Sequence, residues 1–390
     1  MIEIDELLDF ENWINSGVKT PMALQELNLL AYDAKIFKHT FEDSMFLGCD
    51  LTNEAAGHII KTGGMVISNR KDVPFKMHKA KLYSVEELFK GFDINSKGGY
   101  KDTFDYKVYK DYVENGMETP ASIHISLARR LHDHSITDAL YELIEGRKVV
   151  AIMGGHAMER QDPYYLEIAK ISRTLTRKGY LMVSGGGPGA MEATHLGAYF
   201  SYRPETELIE AVNAFKTRLP DAIPGKEYDD TDWLHRAWKI KTQYPMPSGK
   251  EEASMSIGVP TWLYGHEPPA LFATHIAKYF ANSVREDGLL TIAKYGVIFA
   301  PGSAGTTQEI FQEVTQNHYA PYNTHTIKKH VSPMILFGVE AWTVERPLWE
   351  FMKHTSEGRP YGEILHLTED PSEIINHIVN YNPEAYAFPK

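Results

Sequence analysis

The residues whose types and spacing best suit a chemical role lie in one stretch, KYGVIFAPGSAGTTQEIFQEVTQNHY, at 294–319. Residues 296–300 form a short apolar run, which predicts a buried strand of a parallel sheet. The glycine-containing residues 301–305 cannot continue that strand and predict a tight turn. Thr306 is then expected to begin a helix. A glycine turn leading into a helix leaves N–H groups uncovered, and the helix dipole adds to them, so this arrangement favours an anion such as a phosphate.

A carboxylate in the same helix adds a second kind of chemistry. Glu309 follows Thr306 by one turn, and the pattern allows two interpretations that carry about equal weight. In one, Thr306 and Glu309 form a capping box; in the other, Glu309 acts on a ligand at the turn. Glu313 and Asn317, further along the helix, are expected on its solvated face. Arg285 is predicted at the end of the preceding helix, 268–285, where it could contact the terminal carbonyl groups.

Two further glycine turns follow predicted strands. Residues 154–156 follow a strand at 149–153, and residues 185–189 follow a strand at 180–184. Strands alternating with helices predict a parallel sheet with helices on both faces, whose ligands bind beyond the carboxyl ends of the strands. The three turns are therefore expected at one sheet edge. A dinucleotide is disfavoured because 185–189 does not match G-x-G-x-x-G, and no Walker lysine follows the turn at 301–305.

Length and composition limit the remaining interpretations. The chain has 390 residues, a formal net charge of −12 and one cysteine. We expect a smaller α/β domain at 1–145 and a larger domain at 146–390. The negative charge argues against nucleic acid as a partner, and no apolar run is long enough to span a membrane. A cytoplasmic protein without a disulfide framework fits these features. Trp262, Tyr264 and His266 could stack on a base or simply pack.

The two glycine motifs carry a family resemblance. SGGGPGAMEA at 184–193 and PGSAGTTQE at 301–309 resemble the paired GGGxxGxM and PGGxGTxxE motifs of the Lonely Guy family, once labelled lysine decarboxylases. The longer runs MVSGGGPGAMEATHLGA and NSVREDGLLTIAKYGVIFAPGSAGTTQEIFQEVTQNHY are most similar to the bacterial pyrimidine/purine nucleotide 5′-monophosphate nucleosidases of that family. The resemblance covers about residues 146–340. Ser303 departs from the glycine of the shorter members, and no lysine stands in a pyridoxal-phosphate motif.

The resemblance implies a Rossmann-like fold and a phosphoribohydrolase that releases a free base and ribose 5-phosphate, without a metal or cofactor. By position it implies Glu309 and Arg285 as catalytic residues. The substrate-binding residues that it implies are Gly155, His156, Gly185, Gly186, Gly187, Gly189, Met191, Glu192, Gly302, Ser303, Gly305, Thr306 and Thr307. The implied partners are a nucleoside 5′-monophosphate, a guanosine tetraphosphate-type effector and further copies in a homodimer or homotetramer.

Two other functions are kept open at this point. One is a nucleotide-binding sensor or carrier without catalysis, which would have no use for a carboxylate beside a phosphate. The other is a cytokinin riboside 5′-monophosphate phosphoribohydrolase, an activity that the resemblance associates with much shorter chains. The sequence names no residue that reads the base.

Overall fold

The computed structural model describes residues 1–17, 20–96, 98–120, 122–215, 223, 225–229, 231–321 and 331–386. The chain divides into two compact units. The smaller consists of Met1–Leu82 and Lys110–Leu143, and the larger of Tyr83–Tyr109 and Ile144–Lys390. The segment Tyr83–Tyr109, which the sequence placed in the first domain, thus groups with the larger unit. Among the helices of the described residues, none combines the length and apolar character that crossing a bilayer requires.

The strands and helices of the described residues are numbered in chain order. The strands are β1 (Ile2–Ile4), β2 (Met22–Gln25), β3 (Met45–Leu47), β4 (Met65–Ile67), β5 (Lys148–Met153), β6 (Tyr180–Ser184), β7 (Ser256–Gly258), β8 (His275–Ile276), β9 (Val297–Phe299), β10 (Met334–Phe337) and β11 (Leu365–Thr368). The α-helices are α1 (Leu7–Ser16), α2 (Asp33–Ile36), α3 (Asn53–Lys61), α4 (Val85–Leu88), α5 (Phe104–Glu114), α6 (Ile123–Ile144), α7 (Pro163–Arg177), α8 (Ala190–Tyr199), α9 (Glu205–Phe215), α10 (Thr231–Gln243), α11 (Asn282–Ile292), α12 (Ala304–Tyr319), α13 (Trp349–Ser356) and α14 (Pro371–Asn380).

The smaller unit is built on a four-stranded parallel sheet in the order β1-β2-β3-β4. Each strand pairs with the next strand along the chain, as in the register Ala23↔Met45 and Met45↔Met65. Its core contains large apolar side chains such as Phe10, Trp13 and Phe46. The sheet is short because each strand supplies only three or four residues.

The larger unit is built on a seven-stranded parallel sheet in the order β11-β10-β9-β5-β6-β7-β8. The chain runs outward from β5 to β8 and then returns to β9, on the other side of β5. Because parallel crossovers are right-handed, this reversal sends the later helices to the opposite face. The strands β5, β6, β9 and β10 are apolar runs that are buried almost throughout, as expected when both faces are covered. The predicted fold class, a Rossmann-like parallel α/β sheet with a smaller α/β unit, is confirmed.

The predicted elements next to the glycine turns are close to those observed. Strand β6 and helix α8 have the predicted bounds, 180–184 and 190–199. The predicted helix at 268–285 is wrong, because the segment contains β8 and α11 begins only at Asn282. Its apolar residues Phe272 and Ala277 are buried, and Ala277 N donates to Gly258 O of β7, so these residues belong to the sheet edge. The apolar run before α11 therefore belongs to the sheet and not to a helix.

Candidate functional site

The three glycine turns follow adjacent strands, in the order β9, β5 and β6, and they are joined by hydrogen bonds. Gly155 N, in the turn after β5, donates to Pro301 O in the turn after β9, at 3.1 Å. Gly155 O accepts from Ala190 N, the first residue of α8, at 3.2 Å. The turn at 154–156 therefore lies between the other two, and the three form one continuous surface at the carboxyl edge of the sheet, as predicted.

Glycine is required at specific points of this surface. Gly189 has φ +69°, and a Cβ there would overlap Gly155 O and lie 2.8 Å from His156 O. Gly186 has φ +73°, and its Cβ would lie 2.8 Å from Pro260 Cδ. A positive φ is disfavoured for residues with a Cβ, and these neighbours are backbone or ring atoms that cannot move aside easily. The close approach of the turns thus depends on the missing side chains.

The two helices that leave this surface begin with unpaired N–H groups. Helix α12 begins after Ser303, whose side chain makes no capping hydrogen bond. Within the described part of the chain, the N–H groups of Ala304, Gly305 and Thr306 donate no hydrogen bond, and neither do those of Gly187 and Gly189 before α8. Two sets of donors and two helix dipoles therefore point to one edge, an environment that stabilises an anion.

Glu309 lies in the second turn of α12 and is largely buried, with 12% of its side chain exposed. Arg285 Nη1 is 3.8 Å from Glu309 Oε1. Burial raises the pKa of Glu309 to about 7; Arg285 lowers it and Glu286 raises it further. The capping-box interpretation is wrong, because α12 already begins at Ala304 and Thr306 lies inside its first turn. Glu309 is therefore a carboxylate that titrates near neutral pH beside a guanidinium.

Arg285 connects this carboxylate to the glycine turn after β6. It lies in the first turn of α11, not at a helix end as predicted, and 9% of its side chain is exposed. Its Nε donates to Val259 O at 2.8 Å, which fixes the plane of the guanidinium. Arg285 Nη2 lies where a Cβ of Gly185 would be, and that Cβ would also lie 2.6 Å from Met191 Sδ. Gly185 thus makes room for the arginine.

A narrow cleft with a volume of about 40 Å³ opens beside Arg285. Residues that line it are Gly185, Gly186, Gly187, Met191, Pro260, Thr261, Tyr264, Glu267, Pro269, Lys278 and Arg285. Gly185, Gly186, Gly187, Met191 and Arg285 had been predicted as site residues.

The sequence interpretation missed Glu267 and Lys278. Burial raises the pKa of the Glu267 carboxyl, against the lowering influence of His156 and Lys278. Lys278 is 1% exposed, and its Nζ is 3.0 Å from Asp105 Oδ2. No local pattern marks either residue, because Glu267 stands alone among prolines and Asp105 is 173 positions from Lys278. Only the three-dimensional fold brings them to the cleft.

One predicted binding residue, Glu192, is placed elsewhere. It is fully buried and accepts two hydrogen bonds from Arg160, at 2.8 Å from Nε and 2.6 Å from Nη2. Tyr165 OH donates to the same carboxylate at 2.7 Å. The Arg160 guanidinium also lies over the rings of Phe215 and Trp233. Glu192 is thus a partner in a buried ion pair that stabilises α8, and it does not line the cleft.

The other predicted residues of the turns differ in exposure. Ser303 and Gly305 are exposed at the start of α12, whereas Thr306 is buried. Thr307 donates from its hydroxyl to Ser303 O at 3.2 Å, so it closes the first helical turn. His156 is exposed, and its ring centroid is 6.1 Å from that of Tyr228.

Three further expectations are settled by burial. Glu313 and Asn317 are both 0% exposed and hydrogen-bond to Ser332, so the expectation of a solvated face is wrong. Trp262 is fully buried and donates to Asp105 Oδ1 at 2.9 Å, so it packs and cannot stack on a ligand. Tyr264, in contrast, is 47% exposed and lines the cleft.

Comparison with known proteins assigns no family. No family model matches the chain, and no curated protein matches it either. Among solved structures, the chain is similar to a molybdenum cofactor binding protein from the phototrophic bacterium Rippkaea orientalis, with 14% sequence identity and a TM-score of 0.33. That match covers 60% of this chain and 99% of the other. A likeness of this degree carries no argument about function, and the resemblance of the glycine motifs to the Lonely Guy family stays a prediction.

Proposed function

We propose that this protein hydrolyses the N-glycosidic bond of a nucleoside 5′-monophosphate and releases the free base and ribose 5-phosphate. The observation that carries the proposal is the position of Glu309. It is a largely buried carboxylate with a pKa of about 7, held 3.8 Å from Arg285 beside the glycine turns. A pKa near the working pH suits a general base, because a useful fraction is ionised while the group still binds a proton readily.

The phosphate of the substrate is bound by the helix starts. The unpaired N–H groups of two glycines before α8 and three residues at the start of α12 supply donors, and the dipoles of α12 and α8 favour the negative charge. These residues are Gly187, Gly189, Ala304, Gly305 and Thr306. Arg285 adds a fixed positive charge next to Gly185. Binding one end of the ribose phosphate in this way restricts the position of the sugar, so that C1′ is held near Glu309.

The reaction uses the carboxylate in two ways. As the bond from C1′ to the base nitrogen breaks, its electron pair leaves with the base and positive charge develops on the ribose ring. Ionised Glu309 stabilises that charge and accepts a proton from the water that attacks C1′. The base leaves as an anion and takes up a proton from solvent. Arg285 opposes the effect of burial and keeps a larger fraction of Glu309 ionised.

Glu267 supplies a second carboxylate to the same cleft. Its Oε2 would lie 3.4 Å from a Cβ built on Gly187, so it borders the surface on which the ribose phosphate is placed. In this proposal the Glu267 carboxylate accepts hydrogen bonds from the ribose hydroxyl groups. Glu267→Gln is expected to raise KM about tenfold, because a charge-assisted hydrogen bond is worth roughly 1.5 kcal/mol. An unchanged KM in steady-state assays would remove this assignment.

The deciding experiment incubates the full chain with AMP, GMP, CMP, UMP and IMP and measures free base and ribose 5-phosphate. Glu309→Gln is expected to lower kcat about 100-fold or more while nucleotide binding is retained. Glu340→Gln is the matched control, because Glu340 is an exposed carboxylate of the same unit. Uridine should be cleaved far more slowly than UMP, since it lacks the phosphate.

Each outcome has a definite meaning. Full activity in Glu309→Gln would contradict the assigned role. Tight binding of nucleotide by the unaltered protein with no hydrolysis of any substrate in the panel would favour the sensor or carrier instead. Equal rates with uridine and UMP would contradict the role of the glycine turns.

A further inference from the structure

A second cavity, of about 790 Å³, lies at the opposite edge of the seven-stranded sheet. Its lining includes Lys148, where β5 begins, and Tyr180, where β6 begins. The glycine turns follow the carboxyl ends of these same strands. Six residues of β5 separate the two edges by about 20 Å, at roughly 3.3 Å per residue. A ligand in this cavity would therefore not reach the cleft beside Arg285.

The lining of the cavity is strongly basic. Its cationic residues are Arg147, Lys148, Arg177, Lys178 and Lys250. The one carboxylate of the lining, Glu252, forms an ion pair with Arg147 at 2.6 Å. The other four cations form no ion pair with any residue that the structure describes. This concentration of positive charge stands out in a chain whose net charge is −12.

The position of one of these charges, the ammonium group of Lys148, is defined by aromatic rings. Lys148 Nζ lies 5.8 Å from the ring centroid of Tyr180 and 5.9 Å from that of Tyr295, so two aromatic faces position the ammonium group. Arg177 adds to the effect of burial in lowering the pKa of the neighbouring Arg173 guanidinium. Like charges around one concave surface repel each other, and an anion with several charges removes that repulsion when it binds.

The size and shape of the cavity select among anions. Its volume lies in the range of about 300–1,000 Å³ that is usual for small-molecule sites, and its cations come from three separate segments around 147, 177 and 250. A single phosphate would contact only part of this lining. A nucleic acid needs an extended basic track, which the negative net charge of the chain does not favour.

We propose that this cavity binds an oligophosphate, a small ligand with linked phosphate groups. Two sources share this chemistry: inorganic oligophosphates and the phosphate chains of nucleoside triphosphates. Tyr202 also lines the cavity and is partly exposed, so a nucleoside could place its base against that ring. The site is independent of the proposed nucleosidase reaction.

The test is isothermal titration calorimetry of the full chain with inorganic tripolyphosphate and, in a second arm, with ATP. Excess ribose 5-phosphate is present throughout to occupy the glycine-turn edge. The unaltered chain is expected to bind tripolyphosphate at one site with a Kd below about 1 mM, weakening as salt is raised. Arg177→Gln with Lys178→Gln, and separately Lys148→Gln with Lys250→Gln, are each expected to weaken binding at least about tenfold.

A charge-matched control makes this result specific. Lys239→Gln with Lys353→Gln removes two exposed cations of α10 and α13 that do not line the cavity, and should change Kd less than about twofold. Equal affinities for tripolyphosphate and ATP identify the phosphate chain as the ligand, and tighter ATP binding adds the base; both support the proposal. Absence of saturable binding, or equal losses in the control and cavity variants, would overturn it. Glu309→Gln should bind as the unaltered chain does, so this test is separate from that of the enzyme.

Discussion

The two sheets of this protein share parallel strands of apolar residues but differ in the order of those strands. In the four-stranded sheet, each strand pairs with its successor, and the order never reverses. In the seven-stranded sheet, the order reverses between β5 and β9. Because parallel crossovers are right-handed, the connections that leave these two strands go to opposite faces of the sheet. The reversal in strand order, more than the strands themselves, thus distinguishes the sheet that carries the candidate site.

The two sheets also differ in how the polar groups that follow their strands are hydrogen-bonded. After β2, Glu26 accepts a hydrogen bond from Ala80 N at 2.7 Å and pairs with Lys76, so the chain itself satisfies the groups at that edge. After β9 and β6, the N–H groups of Ala304, Gly305 and Gly187 have no acceptor within the described residues. Backbone N–H groups that lack an acceptor remain available for a ligand, as at the edge of the seven-stranded sheet. At the edge of the four-stranded sheet, the chain itself supplies the partners.

The largest expected effect is on stability, and it tests whether the three glycine turns at the seven-stranded edge must stay in close contact. Gly189→Ala places a methyl group against Gly155 O and forces an alanine to φ +69°. We expect a loss of about 3 kcal/mol or more in the free energy of unfolding. Urea denaturation measures it. A loss below about 1 kcal/mol would show that the turns can separate at little cost.

The next effect is the pH dependence of catalysis at the seven-stranded edge. In the proposed reaction Glu309 must be ionised to act, and its pKa is about 7. The value of kcat/KM for UMP is therefore expected to fall about tenfold per pH unit below pH 7 and to be level above it. Initial rates between pH 5 and pH 8.5 test this, with denaturation curves at each pH to exclude unfolding. A profile with its midpoint near 4.5 would mean that the carboxylate is effectively exposed.

The ionised carboxylate of Glu309 is expected to lower the free energy of unfolding. Its pKa rises from an ordinary 4.5 to about 7 on folding, so the folded state resists ionisation. Stability from this group is present below pH 4.5, is lost as pH rises through 7, and stays lost above it. Glu309→Gln should therefore stabilise the protein at pH 8 by about 1–3 kcal/mol relative to pH 4.5, allowing for the lost Arg285 contact. Guanidinium denaturation at the two pH values measures the difference, and equal effects at both would contradict it.

The smallest effect concerns a glycine of the other unit. Gly57 lies within α3, and a Cβ there would meet no atom within 4 Å. Gly57→Ala should raise stability by about 0.5–1 kcal/mol through reduced freedom of the unfolded chain, and leave kcat unchanged. Together with Gly189→Ala, this variant distinguishes a glycine whose conformation and contacts exclude a side chain from a glycine that alanine can replace. A destabilised Gly57→Ala variant would weaken that distinction.

The sequence predicted those parts of the site that depend on local pattern. The runs at 180–184 and 190–199 become a strand and a helix with the same bounds, because an apolar run and a glycine turn leave few other conformations. Glu309 could be identified from the sequence because it follows the glycine turn at 301–305 in the same helix. Arg285 was predicted at the end of a helix but lies near the start of one, because the apolar segment before it pairs in the sheet.

Other features depend on contacts between distant residues and leave no local signal. The pair of Lys278 and Asp105 joins residues that are 173 positions apart. Glu192 stands inside a glycine motif, and nothing nearby shows that Arg160 and Tyr165 bind its carboxylate. Glycine spacing can therefore predict where the turns meet at a sheet edge, whereas the side chains that surround that edge can be identified only from the fold.

The hydrogen bonds between the three turns also bear on how this site can be altered. Because Gly155 contacts both neighbouring turns through its own backbone, a change in any one turn is transmitted to all three. Selection for a new substrate would meet less resistance at the rim of the cleft, where 47% of Tyr264 is exposed to solvent. Under the proposed function, base preference should therefore diverge at such rim positions among homologous proteins, while the glycine turns keep their sequence.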